Sequence, residues 1–197
     1  MSLLPSGLAL LIQSNLEKQG AKGSNLQKFC FSVASGIINS VISSTFTTVD
    51  IGTIAGIGTG IGTGITGLVD SVMVNDALAI MTSRGPKAVD LMTAIMDAVI
   101  SYLGSNAVLT TTNAPVYIGT GTILVGSITV VASVMAQDID TALQNSGAKG
   151  KNRANLASSI AAGVCSGITS SGTGTITITG TGTPTGPGTG TGTGTIS

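Results

Sequence analysis

Two short motifs in this sequence have residue types and spacing that could do chemistry. The first, Gly62-Thr-Gly-Ile-Thr-Gly67, matches the G-x-G-x-x-G pattern, in which backbone amides at the start of a helix hold a pyrophosphate. It lies in a stretch where almost every second residue is glycine, so a chance match is expected. The comparable stretch from Gly119 continues as Thr-Gly-Thr-Ile-Leu and lacks the pattern. We therefore expect no nucleotide site.

The second motif, Gly163-Val-Cys-Ser-Gly167, is similar to a nucleophile elbow with Cys165 or Ser166 at or beside its centre. Such a nucleophile needs a neighbouring base, which is usually histidine, and this chain has no histidine. The motif also falls on the face of a predicted helix. The sequence therefore predicts a protein that is not an enzyme and has no catalytic residue and no cofactor.

The carboxylates do not form a recognisable metal motif. Seven aspartates and one glutamate are scattered singly along the chain, except for Asp138 and Asp140. These two lie on different sides of a predicted helix, whereas a hard cation needs several oxygen ligands that converge on one point. We predict no metal site.

Three lysines, Lys22, Lys87 and Lys149, occupy similar positions 65 and 62 residues apart. Gly20-Ala-Lys-Gly-Ser-Asn-Leu26 returns as Gly147-Ala-Lys-Gly-Lys-Asn-Arg153, and a looser version runs from Gly85 to Asp90. A lysine in such a turn interacts favourably with the carbonyl end of the preceding helix, and this interpretation is favoured over a shared contact with an anion or a partner.

Apolar residues on both sides of each lysine follow the helical period. The stripes after the three lysines are Phe29, Val33, Ile37 and Val41; Ile95, Val99 and Leu103; and Leu156, Ile160, Val164 and Ile168. The stripes before them are Leu8 to Leu16; Ile65, Leu68, Val69, Val72 and Met73; and Ile128, Val131, Met135, Ile139 and Leu143. Glycine in the turn suits a helix C-cap, so each pair of helices is predicted to form an antiparallel hairpin.

A segment rich in glycine and threonine follows each helical hairpin: Thr45 to Gly64, Val108 to Gly121, and Gly172 to the C-terminus. The period of two predicts one strand per segment. Because a single strand lacks a partner within its own unit, we expect it to pair with another repeat or another subunit.

The predicted fold is therefore α+β, with three tandem helical-hairpin-plus-Gly/Thr-strand repeats in one domain, 1–197. The repeats cover about 5–64, 65–124 and 125–197, and they are arranged around a pseudo-three-fold axis or associate laterally. The last stretch, 181–197, is expected to be a Gly/Thr/Pro tail ordered by contacts, with a flexible tail as the alternative.

The threonines are the candidate functional residues. Glycines on one face would let another backbone approach closely, while threonines pack in register at a subunit contact. The alternative is a binding module whose evenly spaced hydroxyl groups recognise ice or carbohydrate. The candidate contact residues are Thr59, Thr63, Thr120, Thr122, Thr175, Thr177 and Thr179.

Composition favours association. Charged residues make up 8% of the chain, against about 25% in ordinary globular proteins, so little opposes contact between copies. Eight basic and eight acidic residues give no net field that would attract nucleic acid or anionic lipid. Cys30 and Cys165 fall in apolar helical stretches and are expected to be buried free thiols.

Hydropathy argues against a membrane span. The uncharged run from Phe29 to Val49 is interrupted by Ser, Gly, Asn and Thr, and the longer run from Ala98 to Gln137 contains Pro115 and several glycines. A membrane-active or pore-forming assembly remains a third hypothesis for function. Residues 1–5 lack the basic region of a signal peptide, so we expect synthesis in a cytoplasm.

Several stretches resemble small virion structural proteins of tailed bacteriophages, particularly contractile-tailed, myovirus-like ones. They are the opening Met-Ser-Leu-Leu-Pro, the Gly-Lys turn, Thr-Thr-Val-Asp-Ile-Gly-Thr at 47–53, and the Gly-Thr-Gly strings. The resemblance implies a virion protein made in the host cytoplasm and present in many copies in a capsid, neck, tail or baseplate. It also implies copies of itself and other virion proteins as partners, and no cofactor.

Overall fold

The computed structural model describes residues 4–52, 58–81, 85, 87–114, 118–150, 152–169, 174–181 and 188–196. Within these ranges, pairs of helices alternate with strands along the chain. The helices are α1 (Pro5–Lys18), α2 (Leu26–Ile42), α3 (Asp70–Ile80), α4 (Ala88–Asn106), α5 (Ala132–Asn145) and α6 (Arg153–Thr169). The strands are β1 (Thr45–Gly52), β2 (Gly58–Thr63), β3 (Ile65–Thr66), β4 (Val108–Ala114), β5 (Ile118–Thr129), β6 (Gly174–Thr181) and β7 (Gly188–Ile196). Helices together with one antiparallel sheet confirm the predicted α+β class.

Glycine ends α1 and α5, as the sequence predicts. Gly20 has a φ of 86°, and the N–H of Ala21 beyond it donates a hydrogen bond to the Leu16 carbonyl. Gly147 has a φ of 84° and is followed by Ala148, whose N–H bonds back into α5 in the same way. A positive φ strains residues that have a Cβ atom, so glycine suits these two caps. The caps turn the chain directly into the next helix.

The six helices form a closed ring. Each helix packs against the next one in the chain, and α6 packs against α1. At two of these crossings a glycine lets the backbones approach closely. A Cβ atom on Gly36 of α2 would lie 2.5 Å from the carbonyl oxygen of Met73 in α3. Gly163 of α6 faces Ile12 of α1 at a similar distance. The apolar faces of the six helices meet in one continuous core.

The strands also form a closed ring. β1 pairs with β7 along one edge and with β2 and β3 along the other. The remaining pairings complete the order β1-β2-β4-β5-β6-β7, and all of them are antiparallel. Each of these six strands therefore has a partner on both sides. Closure into a barrel leaves the doubly paired parts of these strands with no open edge at which another chain could add a strand.

The prediction of one strand per Gly/Thr segment is wrong. Each segment supplies two main strands that pair with each other, as β1 with β2, β4 with β5, and β6 with β7. Pairing between different segments also occurs, through β1–β7, β2–β4 and β5–β6. Residues 188–196 of the predicted tail form β7. The connections within the pairs, 53–57, 115–117 and 182–187, lie outside the described residues.

The sequence also placed several apolar residues on helices that begin later in the structure. Ile65 lies in β3 and Ile128 in β5, while Leu68 and Val69 precede α3. Pairing explains the two strand positions, because Ile65 is opposite Phe46 and Ile128 is opposite Leu109 in the sheet.

The helix ring sits at one end of the barrel. The strand ends that join helices are in register with one another, as in the pairs Thr63 with Val108 and Val108 with Thr129. At this end the barrel contributes four apolar side chains to the shared core, each at most 4% exposed: Phe46, Ile65, Leu109 and Ile128.

Among the described helices, α4 has the length and composition of a membrane span. Half of its apolar window is buried inside the protein, which is also typical of the core helix of a soluble protein. Such a helix is weak evidence for a membrane.

Candidate binding surfaces

A row of five threonines crosses five strands of the barrel. Thr45 of β1 lies opposite Thr66 of β3 on one side and Thr195 of β7 on the other. Its Oγ1 atom is 3.0 Å from the Oγ1 of Thr66, and both residues are exposed. The register continues from Thr195 to Thr175 on β6 and then to Thr122 on β5. The five residues therefore occupy one continuous row of paired positions in the sheet.

A second row lies two residues further along each strand. Thr47 of β1 pairs with Thr193 of β7, which pairs with Thr177 of β6, which pairs with Thr120 of β5. Thr47 is exposed. The strand spacing of about 4.8 Å sets the separation across these rows.

The structure brings most of the predicted contact residues together. Thr120, Thr122, Thr175 and Thr177 lie in the two rows, and Thr179 follows on β6 opposite Ile118 and Thr191. Thr59 and Thr63 are exposed on β2, on another part of the barrel. Five other members of the rows were not among the predicted contact residues: Thr45, Thr47, Thr66, Thr193 and Thr195. The shared alternation of the segments was the signal that could have identified them.

The glycines of β2 face inward, where they serve the barrel itself. Gly60 and Gly62 are buried, while Thr59, Ile61 and Thr63 between them are exposed. A Cβ atom on Gly62 would clash with the carbonyl oxygen of Thr47 in the neighbouring strand β1. The backbone that approaches the glycine face here therefore belongs to the same chain and not to a partner.

The G-x-G-x-x-G match does not form a phosphate cradle. Gly62 lies within β2, and the N–H of Gly64 donates to the carbonyl of Ala107 at 2.8 Å. Gly64 and Gly67 have φ values of 79° and 85°, so they serve a tight turn. The helix that follows carries Asp70 in its first turn, where a carboxylate would repel a phosphate.

The second motif lies inside α6, and Cys165 within it is buried. Burial raises the pKa of its thiol to about 11, so the thiolate needed for nucleophilic attack is rare at neutral pH. Cys30 is also buried and free, and its pKa is raised to about 11, mainly by burial and further by the Glu17 charge. The expectation of two buried free thiols is confirmed.

Asp140 is held in an ion pair and is not part of a metal cluster. The Nε and Nη2 atoms of Arg153 donate to its two carboxylate oxygens at 2.7 and 3.1 Å. These hydrogen bonds lower the pKa of Asp140 below its usual range. Within the described part of the chain, no group of three Asp, Glu, Cys or His side chains is arranged to hold a metal ion.

A cavity of about 660 Å³ opens at the end of the helix ring that lies away from the barrel. Residues from all three helix pairs line it, and its apolar members are Leu16, Leu26, Phe29, Leu91, Leu143 and Leu156. Lys149 and Arg153 also line it. Lys87 lines an adjoining pocket that shares Leu91 and Ala148 with this cavity. Lys22 directly follows Ala21, another lining residue.

No protein-family model matches this sequence, and no curated protein and no solved structure is significantly similar to it.

Proposed function

We propose that this chain is a non-enzymatic structural protein of a bacteriophage virion, a component of a capsid, neck, tail or baseplate. It is made in the host cytoplasm and contacts other virion proteins and further copies of itself. The observation that carries the proposal is a belt of exposed aliphatic side chains where α1, α3 and α5 begin. The N-cap residues Leu4, Val69 and Val131 are 58%, 47% and 49% exposed.

The apolar surface extends beyond these three residues. Val72 and Val134 lie three positions further along α3 and α5 and are also exposed. On the outside of the barrel, Val49 and Ile61 lie opposite each other, and each is 61% exposed. Exposed apolar surface of this extent is typical of interaction sites, and a chain with 8% charged residues has little to oppose contact.

Tandem repeats around a pseudo-three-fold axis account for these positions. Three units of two helices followed by paired strands occur in order, and both the helices and the strands close into rings. In this proposal the second unit ends with β5 at Thr129, since the predicted boundary near residue 124 lies within that strand.

Subunit contacts would use side chains rather than strand addition. Each of the six main strands has a partner on both sides, so the parts of the barrel that are paired in this way offer no open edge to a partner strand. The aliphatic belt and the exposed threonines Thr45, Thr47 and Thr66 are surfaces that side chains of a neighbouring subunit could cover.

The belt can be tested without weakening the helices. In the triple variant Leu4→Asp, Val69→Asp and Val131→Asp, each aspartate occupies an N-cap, where its carboxylate can accept hydrogen bonds from the first turn. We expect light scattering to show that this variant is a folded monomer. We expect the natural chain to form larger assemblies in the same measurement.

The matched control adds three charges elsewhere on the same helices through Ser14→Asp, Asn75→Asp and Gln137→Glu, all at exposed positions. It should assemble like the natural chain. Immunogold electron microscopy of phage particles tests the virion assignment itself. A natural chain that stays monomeric and does not label particles would contradict the proposal.

The threonine rows support a second candidate, a module that binds ice or carbohydrate. A closed ring of six strands turns through about 60° per strand, so a row across several strands is curved and matches a flat ice surface poorly. Replacing Thr59, Thr63 and Thr120 with bulky residues would abolish ligand binding without changing oligomer size if this function is correct. An unaffected ligand response would exclude it.

A further inference from the structure

Of the eight basic residues of this chain, the six in its described part lie at one end of the molecule. Each of the eight falls in a connection between paired helices or within four residues of it in an adjoining helix. Six of them belong to the described residues: Lys18, Lys22, Lys28, Lys87, Lys149 and Arg153. Arg84 and Lys151 lie between the same helices in the sequence. We call the end of the helix ring formed by the described residues of 15–29, 77–91 and 142–156 the connection end.

The acidic residues are distributed differently. Of eight, Glu17 and Asp90 fall in the connection end, and Asp140 reaches it through Arg153. The others lie along the helices or in the barrel: Asp50, Asp70, Asp76, Asp97 and Asp138. The overall charge of zero therefore hides a strong polarity, with a positive connection end and a negative body.

The cavity of about 660 Å³ lies within this positive end. Its apolar side chains are recessed: Leu16 and Leu143 are at most 5% exposed, and Leu26, Phe29, Leu91 and Leu156 are partly buried. Lys149 and Lys87 beside it are exposed. Lys87 makes an ion pair with Asp90 at 3.1 Å, and both side chains remain largely accessible. A cationic surface with an apolar recess can attract an anion and then bury an apolar group.

We propose that the connection end binds an acidic segment of a partner protein that inserts an apolar side chain into the recess. Carboxylates of the segment would pair with Lys149, which lines the cavity, with Lys87 of the adjoining pocket, and with Lys22, which directly follows the lining residue Ala21. The identity of the partner as another virion component rests on the proposed function, but the binding surface does not.

Other occupants fit less well. Single-stranded nucleic acid uses aromatic side chains for base stacking, and among the residues that line the cavity Phe29 is the sole aromatic. A membrane surface is bound by apolar side chains that protrude, whereas those of the connection end are recessed, with Val89 as the one large hydrophobic residue exposed there among the described residues. A second copy presents its acidic residues along its sides and not as a compact acidic segment.

The test uses the full chain and a fluorescent twelve-residue peptide of aspartate and glutamate with two central leucines, measured by fluorescence anisotropy. We expect saturable binding that weakens as salt rises and weakens at least fivefold when the leucines are replaced with serine. The variant Lys22→Gln, Lys87→Gln and Lys149→Gln should bind about tenfold more weakly.

Two matched variants test whether positive charge at these three positions is the cause of peptide binding. Lys22→Arg, Lys87→Arg and Lys149→Arg keep the charge and should bind within twofold of the natural chain. Ser71→Asp, Asn75→Asp and Gln137→Glu make the same change in net charge at exposed positions of the body and should also retain binding.

Equal binding by the natural chain and the glutamine variant would overturn the proposal. Tighter lysine-dependent binding of a thymidine oligonucleotide, or of vesicles with one quarter phosphatidylglycerol, would overturn the choice of an acidic peptide. Particle labelling is a separate measurement, so failure of the virion assignment and failure of this surface can be distinguished.

Discussion

Gly163 in α6 and Ile12 in α1 are in such close contact that a Cβ atom on the glycine would lie 2.5 Å from Ile12 Cγ1. The same atom would lie 3.0 Å from the Ile12 backbone nitrogen. Since α1 is the first helix and α6 the last, this contact is where the helix ring closes. Closure thus depends on a position that has room for hydrogen and not for a methyl group.

Gly163→Ala is therefore expected to destabilise the protein, although alanine favours helices. Overpacking of this kind costs about 1–3 kcal/mol, which outweighs a gain in helix propensity of about 1 kcal/mol. Gly7→Ala in α1 is the matched control, because nothing lies within 4 Å of its Cβ position. The control should be neutral or slightly stabilising in urea unfolding. Equal stability of the two variants would contradict this account of ring closure.

Gly62→Ala is expected to disturb the barrel, because the added Cβ would meet the backbone carbonyl of Thr47 and not a flexible side chain. We expect a loss of roughly 2 kcal/mol or more in unfolding free energy. Ile61→Thr, on the exposed outer face of the same strand, should change stability by less than about 0.5 kcal/mol. If both substitutions cost the same, the inward orientation of Gly62 would be wrong.

The helices could be predicted because their signals are local. Apolar residues at helical spacing identified all six, and the glycines after α1 and α5 identified their ends. The strand pairs could not be resolved, because turns are normally recognised by glycine between strands, and here glycine also fills alternate strand positions. The sequence that connects β1 and β2 therefore has no distinctive turn signature.

Ring closure was beyond sequence analysis for a different reason. The pairing of β1 with β7 joins Thr45 to Thr195, which are 150 positions apart in a chain of 197 residues, and no local pattern specifies such a register. This closure matters for function, because the prediction that strands pair between subunits depended on unpaired strand edges. The threonines that were predicted from alternation were correctly placed as strand residues, but their grouping into rows required the register.

Both cysteines are expected to resist modification while the protein is folded. Cys30 and Cys165 are buried, and the pKa of each is about 11, so little thiolate exists at pH 8 and little of it is accessible. Ellman's reagent should react with fewer than about a tenth of the thiols in the native protein within minutes and with both in 6 M guanidinium. Rapid reaction of the native protein would show that α2 and α6 are packed too loosely to bury the two thiols.

The pair formed by Asp140 and Arg153 should give stability a defined dependence on pH. Because hydrogen bonds from Arg153 lower the pKa of Asp140 in the folded state, the ionised carboxylate favours folding. This contribution is complete above the ordinary aspartate pKa of 3.8 and is lost as the pH falls through the lower value of the folded protein. Asp140→Asn should therefore be less stable than the natural chain above about pH 5, and the difference should vanish in acid.

Asp138→Asn provides the control on the same helix, since Asp138 makes no ion pair within the described residues. Its effect on unfolding free energy should be small near neutral pH. Arg153→Gln should reproduce the loss seen for Asp140→Asn at neutral pH, and the double variant should lose little more than either single one, because both remove one interaction. Additive losses would show that Arg153 stabilises the connection between α5 and α6 through other contacts.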